Sequence, residues 1–101
     1  MAAIYFTITG TNYRHGKDFI EPKMEVMLVK EPENEYDKEA IKVEMPGLGI
    51  IGYVANSPRT VLGESYSAGR IYDKIGDTAM GTVLYNLPGG VLCELNAEDI
   101  K

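Results

Sequence analysis

Apolar and polar residues alternate with a period of two over most of this chain. In residues 3–10, Ile4, Phe6 and Ile8 fall on one side, and Tyr5, Thr7 and Thr9 on the other. That period predicts a half-buried strand, which Gly10 ends. A second strand is read in PKMEVMLVKEP, with Met24, Val26 and Leu28 on one face. Pro32 closes it, because proline has no N–H to give to a ladder. Residues 38–45 form a third strand, with Ala40 and Lys42 facing one way and Ile41, Val43 and Met45 the other. The turn PGLG (46–49) leads back into IIGYVA (50–55), so strands three and four pair as a hairpin. Gly52 within the fourth strand signals a bulge or a close backbone approach. Residues 80–87 and 89–95 give a second hairpin around PGG.

Between the two hairpins the period changes. Ser57-Pro58 reads as an N-cap with a first-turn proline, opening a short helix that Gly63 stops. Ser67 caps a second helix, with Ala68, Ile71, Tyr72 and Ile75 on one face and Gly76 at its C-cap. Helical structure is thus expected only in about 57–75, and the tail NAEDIK is expected to fray. Six short strands with few helices predict a mainly β fold. The expected form is a small barrel with one or two short helices beside it, because closure removes exposed edges. There is no internal repeat, heptad or low-complexity tract, and 101 residues suffice for one domain, 1–101, with one modest core.

Composition changes this picture little. An apolar fraction of 45% and a charged fraction of 25% are ordinary for a globular protein. No apolar run approaches a membrane span, and the N-terminus lacks the basic region of a secretory signal. A cytoplasmic location and no membrane partner are expected. The net charge of −5 argues against coating nucleic acid by bulk electrostatics, although it leaves room for a site holding one strand end. The charge is uneven: residues 31–44 carry six carboxylates against Lys38 and Lys42.

Catalytic chemistry is poorly supplied. Cys93, in GGVLCEL, reads as a small core residue in a strand, far in sequence from the single histidine, His15. One histidine and one cysteine fit no structural zinc pattern, so neither metal nor cofactor is expected, and no enzyme. The glycines of GTNYRHG and GLGIIG do not lead from a strand into a helix, which leaves a phosphate loop without support. What remains are side chains suited to binding: Tyr13, Arg14, His15, Asn34, Tyr36, Asp37, Tyr53 and Asn56. Each has an ordinary structural role beside the functional one. Asn34 and Asp37 are turn formers whose side chains bond nearby backbone, Tyr36 can plug the barrel end, and His15 can be a solvated loop residue.

The segments TGTNYRHG, MEVMLVKEPENEYDKEAIKV and GIIGYV resemble the HIRAN domain over about residues 4–56. The central block, Glu-Pro-x-Asn-x-Tyr-Asp-x-x-Ala-Ile-x-Val, is the specific part. The chain is similar to the small stand-alone bacterial members rather than to a module of a helicase-like remodeller. The resemblance implies an OB-like barrel that binds the 3′ end of single-stranded DNA in the setting of DNA repair, with RNA as the other candidate strand. It also implies that Tyr13 and Tyr36 hold the terminal base, that Asp37 accepts the terminal hydroxyl, and that Asn34 lines the pocket.

A phenol stacks on any base, and a carboxylate accepts from a hydroxyl but repels a phosphate. An aspartate in a nucleic-acid pocket therefore suits a strand end. Two departures thin the phosphate contacts. Asn12 stands where the family often has arginine, leaving Arg14 on the far side of Tyr13, and Tyr53 and Asn56 stand where a basic residue follows strand four. The alternative is a barrel that has lost DNA-end binding and takes a protein or small-molecule partner.

Overall fold

The computed structural model describes residues 3–13, 16 and 18–101, with Tyr13 described by its backbone alone. All six strands are present: β1 (Tyr5–Thr9), β2 (Glu25–Lys30), β3 (Ile41–Met45), β4 (Gly49–Val54), β5 (Thr78–Leu87) and β6 (Gly90–Leu95). They close into an antiparallel barrel in the order β1-β4-β3-β2-β5-β6, β6 returning to β1. The alternation has the expected sense, with Phe6, Ile8, Val26, Leu28, Ile41 and Val43 all buried in the core.

Both hairpins form as read. The β3–β4 turn has Gly47 and Gly49 at φ 84 and 75, a backbone region that side chains disfavour. The β5–β6 turn is a two-residue loop between the paired Leu87 and Gly90.

Strand three is shorter than expected. Ala40 N donates to Asp37 O (3.1 Å) and Glu31 N to Ala40 O (2.8 Å), so residues 38–40 belong to the turn and β3 starts at Ile41. Gly52 serves both expected purposes. The β3–β4 register shifts between Val43 and Glu44, and a Cβ on Gly52 would lie 2.6 Å from Thr9 O and 2.8 Å from Ile8 Cγ2.

Closure at β1 is uneven. β1 pairs with β6 from Tyr5 to Ile8, but with β4 only at Ile8 and Thr9. The connection after β4 covers the gap: Ala55 N donates to Thr7 O (2.8 Å) and Tyr66 N to Tyr5 O (2.6 Å). Thr7, which the alternation puts outside the barrel, is buried beneath that connection. Its hydroxyl lies 2.9 Å from Ser65 Oγ and accepts from Leu62 N (3.1 Å).

This cover explains why no helix forms at Ser57. Ser57 O accepts from Thr60 N and Val61 N, which makes a single turn. Leu62 N then turns to Thr7 instead of continuing it. The second expected helix is real: α1 (Ala68–Ile71), capped by the Ser67 side chain on Arg70 N, runs on into a 3-10 turn, Tyr72–Lys74. The helix ends at Ile75, one residue before Gly76.

Helical turns also lie outside 57–75, at Thr11–Tyr13 and Ala97–Asp99. The C-terminal tail is tied down. Asp99 Oδ2 accepts from Met80 N (2.8 Å), Lys101 N donates to Lys74 O (2.7 Å), and Ile100 packs on the core.

The Gly52 contact yields a stability prediction. Gly52→Ala must push β4 away from Thr9 O, and overpacking of this kind costs about 1–3 kcal/mol. A lower urea midpoint with an unchanged m-value is expected. An unchanged midpoint would mean that the strands separate there without cost.

Candidate nucleic-acid interface

The acidic β2–β3 connection is built by its own side chains. Asn34 Oδ1 accepts from Tyr36 N (2.8 Å) and Asp37 N (3.0 Å), while Asn34 Nδ2 donates to Glu31 Oε1 (3.2 Å). Asp37 Oδ1 accepts from Glu39 N (2.9 Å). These are the expected turn-forming roles. They leave Tyr36 with no place inside: its side chain is 94% exposed and does not plug the barrel.

Asp37 does more than close the turn. Its Oδ2 accepts from Asn56 Nδ2 (2.9 Å), and Asn56 Oδ1 accepts from Gly69 N (2.8 Å) at the start of α1. One hydrogen-bonded bridge thus joins the β2–β3 turn, the end of β4 and α1. The Glu39 carboxylate lies against the start of α1, where a Cβ on Gly69 would come within 2.7 Å of its Oε1.

A cleft of about 500 Å³ opens beside this bridge. Asn34, Tyr36, Asp37, Tyr53 and Asn56 line it, with Ala40 and Val54 as apolar lining and Ser57 and Thr60 beside them. These five polar and aromatic residues come from two segments distant in sequence, 34–37 and 53–56. Tyr53 reaches the cleft from β4, where it pairs with Lys42 and with Thr9. The 3-10 turn containing Tyr13 packs against β4. The Tyr13 side chain, Arg14 and His15 lie outside the described residues.

Ser57 and Thr60 were not among the expected site residues, and neither was Arg59, exposed between them. The helix expected there would have hidden the loop that brings them to the cleft. Lys38 is likewise exposed, next to Asp37. Other cations nearby are engaged: Lys30 Nζ donates to Ile75 O (2.9 Å) and sits 4.4 Å from the Tyr72 ring centroid, and Lys42 pairs with Glu44 (3.1 Å).

Among the described residues no cluster of three or more His, Cys, Asp or Glu could hold a metal ion. Among the described residues no helix is long and apolar enough to cross a membrane. Cys93 is buried on β6, and desolvation pushes its thiol up to about 12. A protonated, enclosed thiol is a poor nucleophile.

The HIRAN domain family model matches residues 1–87. The chain belongs to the HIRAN domain family. The match spans β1 to β5 and every residue lining the cleft, while β6 and the tail lie beyond it. The crystal structure of the HIRAN domain of human HLTF superposes with a TM-score of 0.60 at 18% identity, covering 97% of this chain and 79% of that one. A crystal structure of a protein from Lactobacillus plantarum superposes with a TM-score of 0.56 at 23% identity, covering 94% of this chain and 97% of that one. These likenesses establish the barrel as the shared HIRAN fold. No curated protein sequence matches the chain significantly.

Two predictions follow from the hydrogen-bonded bridge and the buried thiol. Asn56→Asp sets a second carboxylate against Asp37, and the turn and α1 should separate. A loss of about 1–3 kcal/mol in chemical denaturation is expected, shrinking at pH 4 where one carboxyl holds a proton. An equal loss at pH 4 and pH 7 would assign the cost to packing instead.

The Cys93 thiol stays protonated in the fold to higher pH than in the unfolded chain, so its contribution is complete below about 9 and declines as pH rises towards 12. Stability should therefore fall more steeply above pH 9 in the wild type than in Cys93→Ala. Parallel curves would show that the thiol ionises equally in both states.

Proposed function

We propose that the chain is a non-enzymatic module that holds the 3′ end of a single nucleic-acid strand. The observation that carries this reading is the pairing of a nearly fully exposed phenol, Tyr36, with a fixed, half-buried carboxylate, Asp37, at one cleft. An aromatic ring held out in water by the backbone of its own turn is a ready stacking platform. DNA binding is also what HIRAN membership implies.

Asp37 retains capacity for a ligand. A carboxylate offers about four lone-pair sites, and Asp37 uses one on Oδ1 for Glu39 N and one on Oδ2 for Asn56. A terminal hydroxyl can donate to the remainder. A 3′-phosphate offers negative charge to an oxygen that cannot move away, because Asn56 and the turn hold it. In this reading Tyr13 supplies the second ring, Asn34 and Tyr53 border the base, and Arg14, His15, Arg59 and Lys38 are the cations available to the backbone. With few cations, affinity is modest and the salt dependence shallow.

The absence of any cation from the described lining of the cleft favours a second reading, a small neutral ligand or a protein loop at the same place. Fluorescence anisotropy at low salt separates the two, using oligonucleotides that end in a 3′-hydroxyl or a 3′-phosphate. Wild type should prefer the hydroxyl by roughly tenfold to a hundredfold, the worth of a hydrogen bond to a charged group.

Tyr36→Ala should weaken both strands by about 1–3 kcal/mol with no change in melting, since the ring packs on nothing. Asp37→Asn is a poorer probe. Its amide NH2 would face either Glu39 N or Asn56 Nδ2, so it loosens the bridge as well as the site. Equal binding of the two ends by wild type would remove Asp37 from recognition. Failure to bind either at high micromolar protein would leave the second reading.

A further inference from the structure

A second cleft, of about 650 Å³, adjoins the first, and Asn56 lines both. Its far side is formed by Tyr66, Ser67 and Arg70, with Glu64 also on its lining. The Arg70 Cζ lies 3.9 Å from the Tyr66 ring centroid, so the guanidinium rests on the ring. Arg70 is exposed, and among the described residues no carboxylate pairs with it. Gly69, its neighbour, is the residue whose N–H is held by Asn56 Oδ1. The Asp37–Asn56 bridge that fixes the first cleft therefore also fixes the base of Arg70.

Resting on the strand-end reading above, we infer that this cleft seats the penultimate nucleotide. Arg70 takes the phosphodiester between the last two nucleotides on its N–H edge, and the penultimate base stacks on the guanidinium face opposite Tyr66.

Three observations direct the strand this way. The two clefts meet at Asn56, beside the carboxylate assigned to the terminal hydroxyl. A guanidinium laid on an aromatic ring is a flat, charged surface, which suits both a base and a phosphate. The cleft on the other side of the site, between Lys30 and Tyr53, is bordered by Glu31 and Glu33, and its one lysine is occupied by Ile75 O and Tyr72. A phosphodiester would meet two carboxylates and a hydrogen-bonded lysine there, against one carboxylate and a guanidinium with no carboxylate partner among the described residues here. Glu64 confines the phosphate to the Arg70 side.

Length-dependent binding tests this. Thymidine, the dinucleotide and the decanucleotide, each ending in a 3′-hydroxyl, are titrated into wild type, Arg70→Ala, Arg70→Lys and Glu64→Gln. Arg70→Ala should bind thymidine as wild type does but lose about fivefold to a hundredfold on the dinucleotide and decanucleotide. Its salt slope should fall by about 0.7. Arg70→Lys should recover the slope without recovering the affinity, since an ammonium offers no stacking face. Glu64→Gln should tighten only the longer ligands.

If Arg70→Ala matches wild type at every length while Tyr36→Ala weakens binding, the inference fails and the strand-end reading stands. An equal loss on thymidine would move Arg70 into the terminal pocket and overturn the inference too. If wild type binds none of the three, both readings fall. Arg70 is exposed, so a melting curve like that of wild type is expected for its variants.

Discussion

The incomplete pairing of β1 is the constraint on which the remainder of this barrel depends. A strand closing a barrel must satisfy backbone groups on both edges, because a buried carbonyl without a partner costs about as much as a lost hydrogen bond. β6 satisfies one edge of β1 from Tyr5 to Ile8, but β4 reaches only Ile8 and Thr9 on the other. Thr7 O and Tyr5 O are left to Ala55 N and Tyr66 N. The segment between β4 and α1 therefore cannot run freely. It is drawn along β1 as a partial seventh strand, with the Thr7 hydroxyl, Ser65 and Leu62 N as its buried polar seam. Both clefts are consequences: one lies where this segment leaves β4, the other where it turns into α1.

Asn56 fixes how the turn at Asp37 and the start of α1 stand to one another. A primary amide is donor and acceptor at once. Asn56 spends the donor on Asp37 and the acceptor on Gly69 N. A basic residue here, as the family resemblance would place, could donate to Asp37 but could not accept from α1. This chain thus has an amide that ties the β2–β3 turn to α1 at that place, and no cation.

How much of this the sequence made legible follows the range of the interactions. Strand alternation and tight turns are local, so the six strands, the hairpins and the packing role of Gly52 could be read directly. The turn chemistry of Asn34 and Asp37 is also local, and it emerged as expected. The false helix at Ser57 had a sound cap, but its backbone was needed by Thr7, fifty-five residues from Leu62 in sequence. The tail offered no apolar period, yet Asp99 and Ile100 anchor it through Met80 and the core. Arg70 lies off the apolar face of Ala68, Ile71, Tyr72 and Ile75, and its meeting with Tyr66 depends on where the cover segment is laid. The cleft itself gathers Asn34, Tyr36 and Asp37 with Tyr53 and Asn56, residues that stand out by side-chain chemistry and not by periodicity.

The pairing of Phe6 with Cys93 joins the first strand to the last. Synthesis from the N-terminus makes β1 early, but one of its hydrogen-bonding edges has no partner until β6 has left the ribosome. β2, β3 and β4 can assemble by neighbouring contacts in the meantime, and the barrel then shuts in one late, long-range step. Such a step is slow compared with hairpin formation, since the loop must be closed before its contacts are gained. During that interval β1 presents an unpaired hydrogen-bonding edge, the kind of exposure at which incompletely folded chains associate wrongly.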